Sequence, residues 1–199
     1  MAIPSLFLYP GAGSDRNHAR LLAIEDRVIA RTSRLDFPYR RQGRKGPPDR
    51  APKLMASVRD DLTEISRRRT PLIMGGHSMG GRMASMVAAD VDGEGPVKNL
   101  AALVLLGYPL HPPKKIDKLR VEHFPHITVP CLFISGTKDE FGTPDELEQW
   151  TATISAPVEH IWLDGARHDL KGRDAVIADF VAEFVQRVYL TRMRRTVAL

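Results

Sequence analysis

The sequence predicts an α/β fold: a mostly parallel sheet of about six strands, covered by helices on both faces. Short runs rich in apolar and β-branched residues alternate with stretches of helical periodicity along all 199 residues. Those runs lack the polar alternation of a sheet with one wet face, so both faces are expected to be buried.

The first strand is read at Leu6 to Tyr9, followed by Pro10, Gly11, Ala12 and Gly13 and then the capping residues Ser14 and Asp15. A second is read at Arg34 to Phe37. From Arg40 to Pro52 the glycines and prolines break regular structure, so this is a basic loop, with neither flank large enough to fold alone. Leu54, Val58, Leu62 and Ile65 then recur at helical spacing and form one apolar stripe. Three central strands follow, at Leu72 to Gly75, Ala102 to Leu106 and Cys131 to Ser135, and a last one at Glu159 to Leu163. A C-terminal helix shows its stripe in Val176, Ile177, Phe180, Val181, Phe184, Val185 and Val188. The whole chain, 1–199, is expected to be one domain, a length suited to one sizeable core.

Composition narrows the function. The apolar fraction of 43% and charged fraction of 27% are those of an ordinary water-soluble fold. No apolar run is long enough to span a bilayer, and Ile3 to Tyr9 lacks the basic flank and cleavage site of a leader, so a cytoplasmic protein with no membrane partner is expected. The net charge of +5 is scattered among Arg40, Arg41, Arg44, Lys45 and Arg50, Arg67 to Arg69, and Arg192, Arg194 and Arg195. Nucleic-acid binding needs such charge on one face with groove-reading or stacking groups, and no such pattern is visible. The single cysteine, Cys131, lies in an apolar run and reads as a buried, inert thiol.

The informative stretch is Gly76-His77-Ser78-Met79-Gly80, set between a buried strand and a helical run, Arg82 to Ala89. A G-x-S-x-G pattern arises by chance in roughly 0.07 chains of this length, given ordinary glycine and serine usage. Its placement makes it a nucleophile elbow, a tight strand-to-helix turn that lifts the serine hydroxyl off the sheet, with glycines where side chains would collide. The amide of Met79 is placed to donate to an oxyanion. A base and an acid are then expected at later strand ends, in the order Ser, Asp, His. Asp139 follows the strand ending at Ser135, and His168 follows the strand ending at Leu163. The rivals are weaker: Glu140 and Asp164 for the acid, and for the base six other histidines in or before the wrong strands. The second oxyanion amide is expected from Ala12 or Gly13, with Ala12 preferred. No metal-ligand spacing such as H-E-x-x-H occurs, and Gly11-Ala12-Gly13 lacks the third glycine of a dinucleotide loop, so no cofactor or metal is expected.

With GHSMG, GTKDEF and GARHDL in this order, the chain resembles the α/β-hydrolase superfamily over nearly its full length. The segments YPGAG (9–13), GGRMAS (80–85), GYPLHPP (107–113) and HDLK (168–171) are similar to a small branch near the dienelactone-hydrolase-like esterases, which also holds hydrolase-like domains of chromatin-complex subunits. The resemblance implies a fold trimmed of the superfamily's first two strands. Pro10 stands where many members have a histidine. Only Gly107 to Thr128 intervenes where larger members insert a lid, too little for a cap domain, so an open site for short-chain or accessible esters is expected.

The function expected is therefore hydrolysis of a small-molecule acyl substrate, a carboxylic ester or a related thioester, lactone or amide. Ser78 attacks, His168 shuttles the proton, Asp139 orients the imidazole, and Met79 and Ala12 hold the oxyanion. The arginines of the loop 40–53 would favour an anionic substrate if they face the site, but charge alone carries that idea and a solvated loop is the preferred reading. The rival expectation is a non-catalytic interaction module that keeps the hydrolase fold. Oligomeric state is not legible in the sequence.

Overall fold

A computed structural model describes residues 3–65 and 70–197; Arg67 to Arg69 and the side chains of Ile65, Arg194 and Arg195 lie outside the described residues. The six strands are β1 (Ser5–Tyr9), β2 (Arg31–Arg34), β3 (Leu72–His77), β4 (Leu100–Leu106), β5 (Cys131–Gly136) and β6 (Val158–Leu163). They form one sheet in the order β2-β1-β3-β4-β5-β6, and every neighbouring pair is parallel. The expected α/β class is the one observed.

Each central strand divides its side chains between two apolar layers, as its period of two requires. Leu6 and Leu8 of β1, Ile73 of β3 and Val104 and Leu106 of β4 pack with α1 (Ala19–Arg27) and α6 (Asp174–Val197). Phe7, Tyr9, Met74, Leu103, Leu105 and Phe133 pack with α3 (Ala51–Ile65) and α4 (Met79–Ala88), and Leu147 of α5 (Pro144–Thr151) joins them. Leu54, Val58 and Leu62 of α3 are buried as the stripe predicted. On α6 the stripe holds at Ile177, Val181, Phe184 and Val185, but Val176 is exposed. Cys131 is buried in β5, and burial pushes its thiol up to about 12.

Two elements differ from the sequence reading. The second strand is Arg31–Arg34, three residues earlier than Arg34 to Phe37. Its ladder to β1 runs from Arg31 N–H on Pro4 O to Leu35 N–H on Leu8 O. The next donor in that alternation is residue 10, a proline with no N–H, and pairing stops there. Leu35 and Phe37 are apolar for a different reason: both pack into the core beyond the strand end. The stretch Arg40 to Pro52 is also more regular than its composition suggests. A short helix α2, Pro38–Arg41, contains Arg40 and Arg41, and Pro52 sits in the first turn of α3, where a missing N–H is harmless.

The strand order turns back between β1 and β3: the chain leaves β1 toward β2 and then returns across β1 to β3. The crevice at such a switch point, outside the carboxyl ends of the strands, is where an α/β sheet can receive a ligand. The loop after β1 and the turn after β3 both open into it.

One buried charge ties the two ends of this arrangement together. Arg20 of α1 is 1% exposed, and its Nη2 donates to the carbonyls of Asp169 (2.7 Å) and Leu170 (2.9 Å) and pairs with Asp174 (3.1 Å). Those carbonyls belong to the loop that carries His168. Replacing Arg20 by leucine leaves the Asp169 carbonyl without a donor, the Leu170 carbonyl with only the Arg173 amide (3.3 Å) and Asp174 without its cation, so Arg20→Leu is expected to lower stability by about 2–3 kcal/mol in urea unfolding. A loss below 0.5 kcal/mol would show that the loop holds itself.

Candidate active site

Ser78 occupies a backbone conformation that serine rarely adopts, φ 51° and ψ −116°, at a cost of about 1–3 kcal/mol. The glycines on either side explain how that turn closes. A Cβ at Gly76 or at Gly80 would overlap the same atom, the carbonyl oxygen of Tyr9 at the end of β1. The turn thus clamps around the neighbouring strand's last carbonyl, and only residues without side chains fit on both arms of the clamp. Helix α4 starts at once with Met79, and the Ser78 side chain makes no capping bond to it. The first amides of the helix, Met79 included, have no acceptor within the helix itself.

The other two expected residues arrive from β5 and β6. His168 Nε2 lies 2.8 Å from Ser78 Oγ, and His168 Nδ1 lies 3.0 Å from both carboxylate oxygens of Asp139. A carboxylate only accepts, so Nδ1 carries the proton and the Nε2 lone pair receives the serine hydroxyl. The Asp139 side chain is 1% exposed, and its Oδ1 also accepts from the Phe141 amide at 2.8 Å. Phe141 stacks on the imidazole with centroids 3.9 Å apart, fixing the ring plane. Glu140 and Asp164 make other contacts, to the His168 amide (3.5 Å) and the Thr137 hydroxyl (3.3 Å).

Ala12 lines the same cavity as Ser78 and Met79, a cleft of about 560 Å³. Its carbonyl is held by the Tyr39 hydroxyl (2.9 Å) and Arg40 Nη2 (3.1 Å), and Arg40 Nε also binds the Ser14 carbonyl (3.0 Å). With the Ala12 carbonyl drawn to one side, the Gly13 amide trans to it points the other way, and the Gly11 carbonyl, trans to the Ala12 amide, accepts from Ser14 N–H at 3.1 Å. This use of Arg40 bears on whether the basic loop faces the site. Arg40 is spent on loop carbonyls, Arg41 forks onto Asp61 (2.7 and 2.9 Å), and Arg44 pairs with Asp49 (2.6 Å). From the basic stretch, Pro48, Asp49 and Ala51 line the cleft, and its arginines do not.

Sequence reasoning missed several neighbours. His77 Nε2 donates to the His168 carbonyl (3.1 Å), steadying the loop of the base, and His18 caps α1 while stacking on His77 at 6.1 Å. Arg82 and Arg120 also line the cleft. The spacing of Arg82, one helical turn after Ser78, is a signal that was available; the positions of His18 and Arg120 depend on how distant loops fold back. His123 is deeper: the Ser85 hydroxyl donates to the Arg82 carbonyl and accepts from His123 Nε2, both at 2.8 Å. The segment 107–130 between β4 and β5 has, among the described residues, a single short helical turn, Phe124–His126, and no cap. A larger cleft of about 980 Å³, between α3 and the segment after α4, holds none of the predicted residues.

Burial drives His77 down to about 3 and His123 to about 4, with Arg20 and Arg82 respectively adding repulsion. Both rings are therefore neutral in the fold, whereas an unfolded histidine titrates near about 6.5. Their stabilisation is complete above that pH and is lost as pH falls toward 4 and 3, where only the unfolded chain gains protons. His123→Gln should flatten the decline of unfolding free energy between about pH 6.5 and 4, read from urea titrations across pH. An acid limb as steep as that of wild type would mean the ring is not held neutral.

Known proteins were compared with this geometry. The family described as an alpha/beta hydrolase domain matches residues 4–188. Among solved structures, Est1E from Butyrivibrio proteoclasticus with ferulic acid bound superposes with a TM-score of 0.75 at 14% identity, covering 94% of this chain and 89% of that one. A dienelactone hydrolase from Anabaena variabilis gives 0.70 at 16% identity over 94% and 87% of the two chains. The RedJ thioesterase of the prodiginine pathway in Streptomyces coelicolor gives 0.63 at 20% identity over 92% and 86%. At these identities the neighbours speak for the fold alone, but the family match spans nearly the whole sheet and its helices: the chain belongs to the alpha/beta hydrolase domain family.

Proposed function

We propose that the protein is a serine hydrolase that cleaves a carboxylic ester or a related acyl substrate through an acyl-enzyme. The observation that carries this reading is the continuous hydrogen-bonded chain from Ser78 Oγ through His168 to a buried Asp139, built on a strained turn. A strained serine with its hydroxyl on an imidazole lone pair is the arrangement that activates an oxygen nucleophile.

In the proposed mechanism Ser78 attacks the acyl carbonyl while His168 takes its proton. Asp139 keeps Nδ1–H engaged and stabilises the imidazolium that forms. The amides of Met79 and Ala12 receive the oxyanion, the latter from a loop stiffened by Tyr39 and Arg40. His168 returns the proton to the leaving group, then draws one from water, which attacks the acyl-enzyme and frees Ser78. Every group in this sequence is a protein side chain or amide, so the proposed steps use no cofactor. The absence of a cap among the described residues favours short or accessible acyl groups. Esterase and thioesterase chemistry share these steps, and both fit the cleft.

Labelling with a fluorophosphonate tests the reading, with intact mass to locate the adduct. Wild type is expected to take one equivalent on Ser78, Ser78→Ala none, and His168→Ala to label at least about 100-fold more slowly. Asp139→Asn should slow ester turnover by about 10²–10⁴-fold, because the amide stabilises the wrong tautomer. Folded wild type that takes no label would make the chain an interaction module on a hydrolase scaffold.

A further inference from the structure

The protein's arginines are, for the most part, matched to carboxylates or to backbone carbonyls. Arg16 pairs with Asp36, Arg27 with Asp179, Arg34 with Glu25, Arg59 with Asp90 and Asp92, and Arg187 with Glu159. Two half-buried arginines break the pattern, and both line the cleft of Ser78.

Arg82 stands one helical turn after Ser78, its amide donating to the Ser78 carbonyl at 3.0 Å. Its Nε is shut off from solvent, and among the described residues its guanidinium has neither a hydrogen-bond acceptor nor an ion-pair partner. Arg120 reaches the cleft from the segment between β4 and β5, and among the described residues its one side-chain bond is a long 3.5 Å contact to the Pro109 carbonyl. Burial lowers its proton affinity, and the charge of Arg82 comes next among the causes. Among the described residues no side chain forms an ion pair with either arginine. The Tyr108 hydroxyl is committed to the Arg120 carbonyl at 2.7 Å, and His123 is neutral. Two carboxylates line the cleft elsewhere. Asp49 is held by Arg44 (2.6 Å) and Lys53 (3.2 Å), Asp169 accepts from the Lys171 amide (3.2 Å), and neither comes within ion-pair distance of Arg82 or Arg120.

Two guanidinium groups facing one cleft repel each other and forgo hydrogen bonds that a buried cation strongly favours. A carboxylate placed between them would supply both missing things, since each guanidinium fork matches its geometry. We propose that Arg82 and Arg120 form an anion-binding subsite beside Ser78, so that the substrate is an acyl compound carrying a carboxylate a few atoms from the scissile bond. The placement of that bond rests on the hydrolase reading above; the charge selection does not.

The test uses Ser78→Ala protein, which cannot turn over, and compares binding of monomethyl glutarate with that of neutral dimethyl glutarate by titration calorimetry. The monoanion is expected to bind at least about ten-fold more tightly, with the advantage shrinking as salt is raised. In Ser78→Ala/Arg82→Gln and Ser78→Ala/Arg120→Gln the two ligands should bind within about two-fold of each other. Thermal melts of the double variants, matched to Ser78→Ala, separate loss of the subsite from loss of the fold. Arg120 sits on a loop, so its variant decides alone if the helix variant does not fold. Equal binding of the two ligands to Ser78→Ala, or a preference that survives both glutamine variants, overturns the subsite. Fluorophosphonate labelling of wild-type Ser78 without any charge preference keeps the hydrolase and removes the subsite. Charge-selective binding without labelling does the reverse.

Discussion

The Tyr9 carbonyl oxygen is the fixed point around which the cleft is organised. Gly76 and Gly80 press on it from the two arms of the Ser78 turn, so β1, β3 and α4 meet at one atom without room for a single methyl group. That contact sets where β3 must stop, where α4 must begin, and which way Ser78 faces. It also sets the start of the next loop, because residue 10 follows directly. Pro10 ends the ladder to β2 and sends the chain through Gly11 to Gly13 along the opposite wall of the cleft. Strain at Ser78 is tolerated because the surroundings over-determine it: α4 packs on both β1 and β3, and neither can retreat while the sheet is intact.

The distribution of polar groups follows from the same layout. Strands buried on both faces cannot carry charge in their middles, so ionisable groups gather at the strand ends and in loops. There many pair with opposite charges, and several cations are absorbed by backbone carbonyls. Arg20, Arg40, Arg192 and His77 all hold carbonyl oxygens of distant segments. Such bonds convert a loop that would be free into part of the rigid frame, which the proposed chemistry demands of its oxyanion donors and of its base. Against that background an unmatched guanidinium in a cleft is conspicuous, because most of the described arginines elsewhere have an acceptor or a carboxylate partner.

The fold was largely legible in the sequence because its signals are local. Apolar runs of strand length, separated by stripes of helical spacing, fix element type, and their order fixes class. The grouping of Ser78, Asp139 and His168 at the strand ends could be read because a parallel sheet delivers all its carboxyl ends to one edge. The mis-set second strand shows the limit. Leu35 and Phe37 look like strand residues, yet the end of pairing is decided by a proline on the neighbouring strand, 25 or more residues earlier. The same applies to charge: the arginines of the basic stretch are visible in the sequence, but Arg40 finds its acceptors at Ala12 and Ser14. Arg82 and Arg120 were passed over because their meaning lies in what is missing around them, which only a folded neighbourhood reveals.

Arg20 has a consequence for assembly order. It joins α1 to the carbonyls of Asp169 and Leu170, a contact spanning 149 and 150 residues, while β1 must wait for β3 before it has partners on both sides. A topology dominated by such distant pairings folds slowly, since loop closure must precede the contacts that reward it. Until β1 is in place the elbow lacks the Tyr9 carbonyl on which it closes, and until Arg20 meets its acceptors the loop of His168 lacks its anchor. The hydrogen-bonded chain from Ser78 to Asp139 therefore exists only when segments from both ends of the sequence are held together.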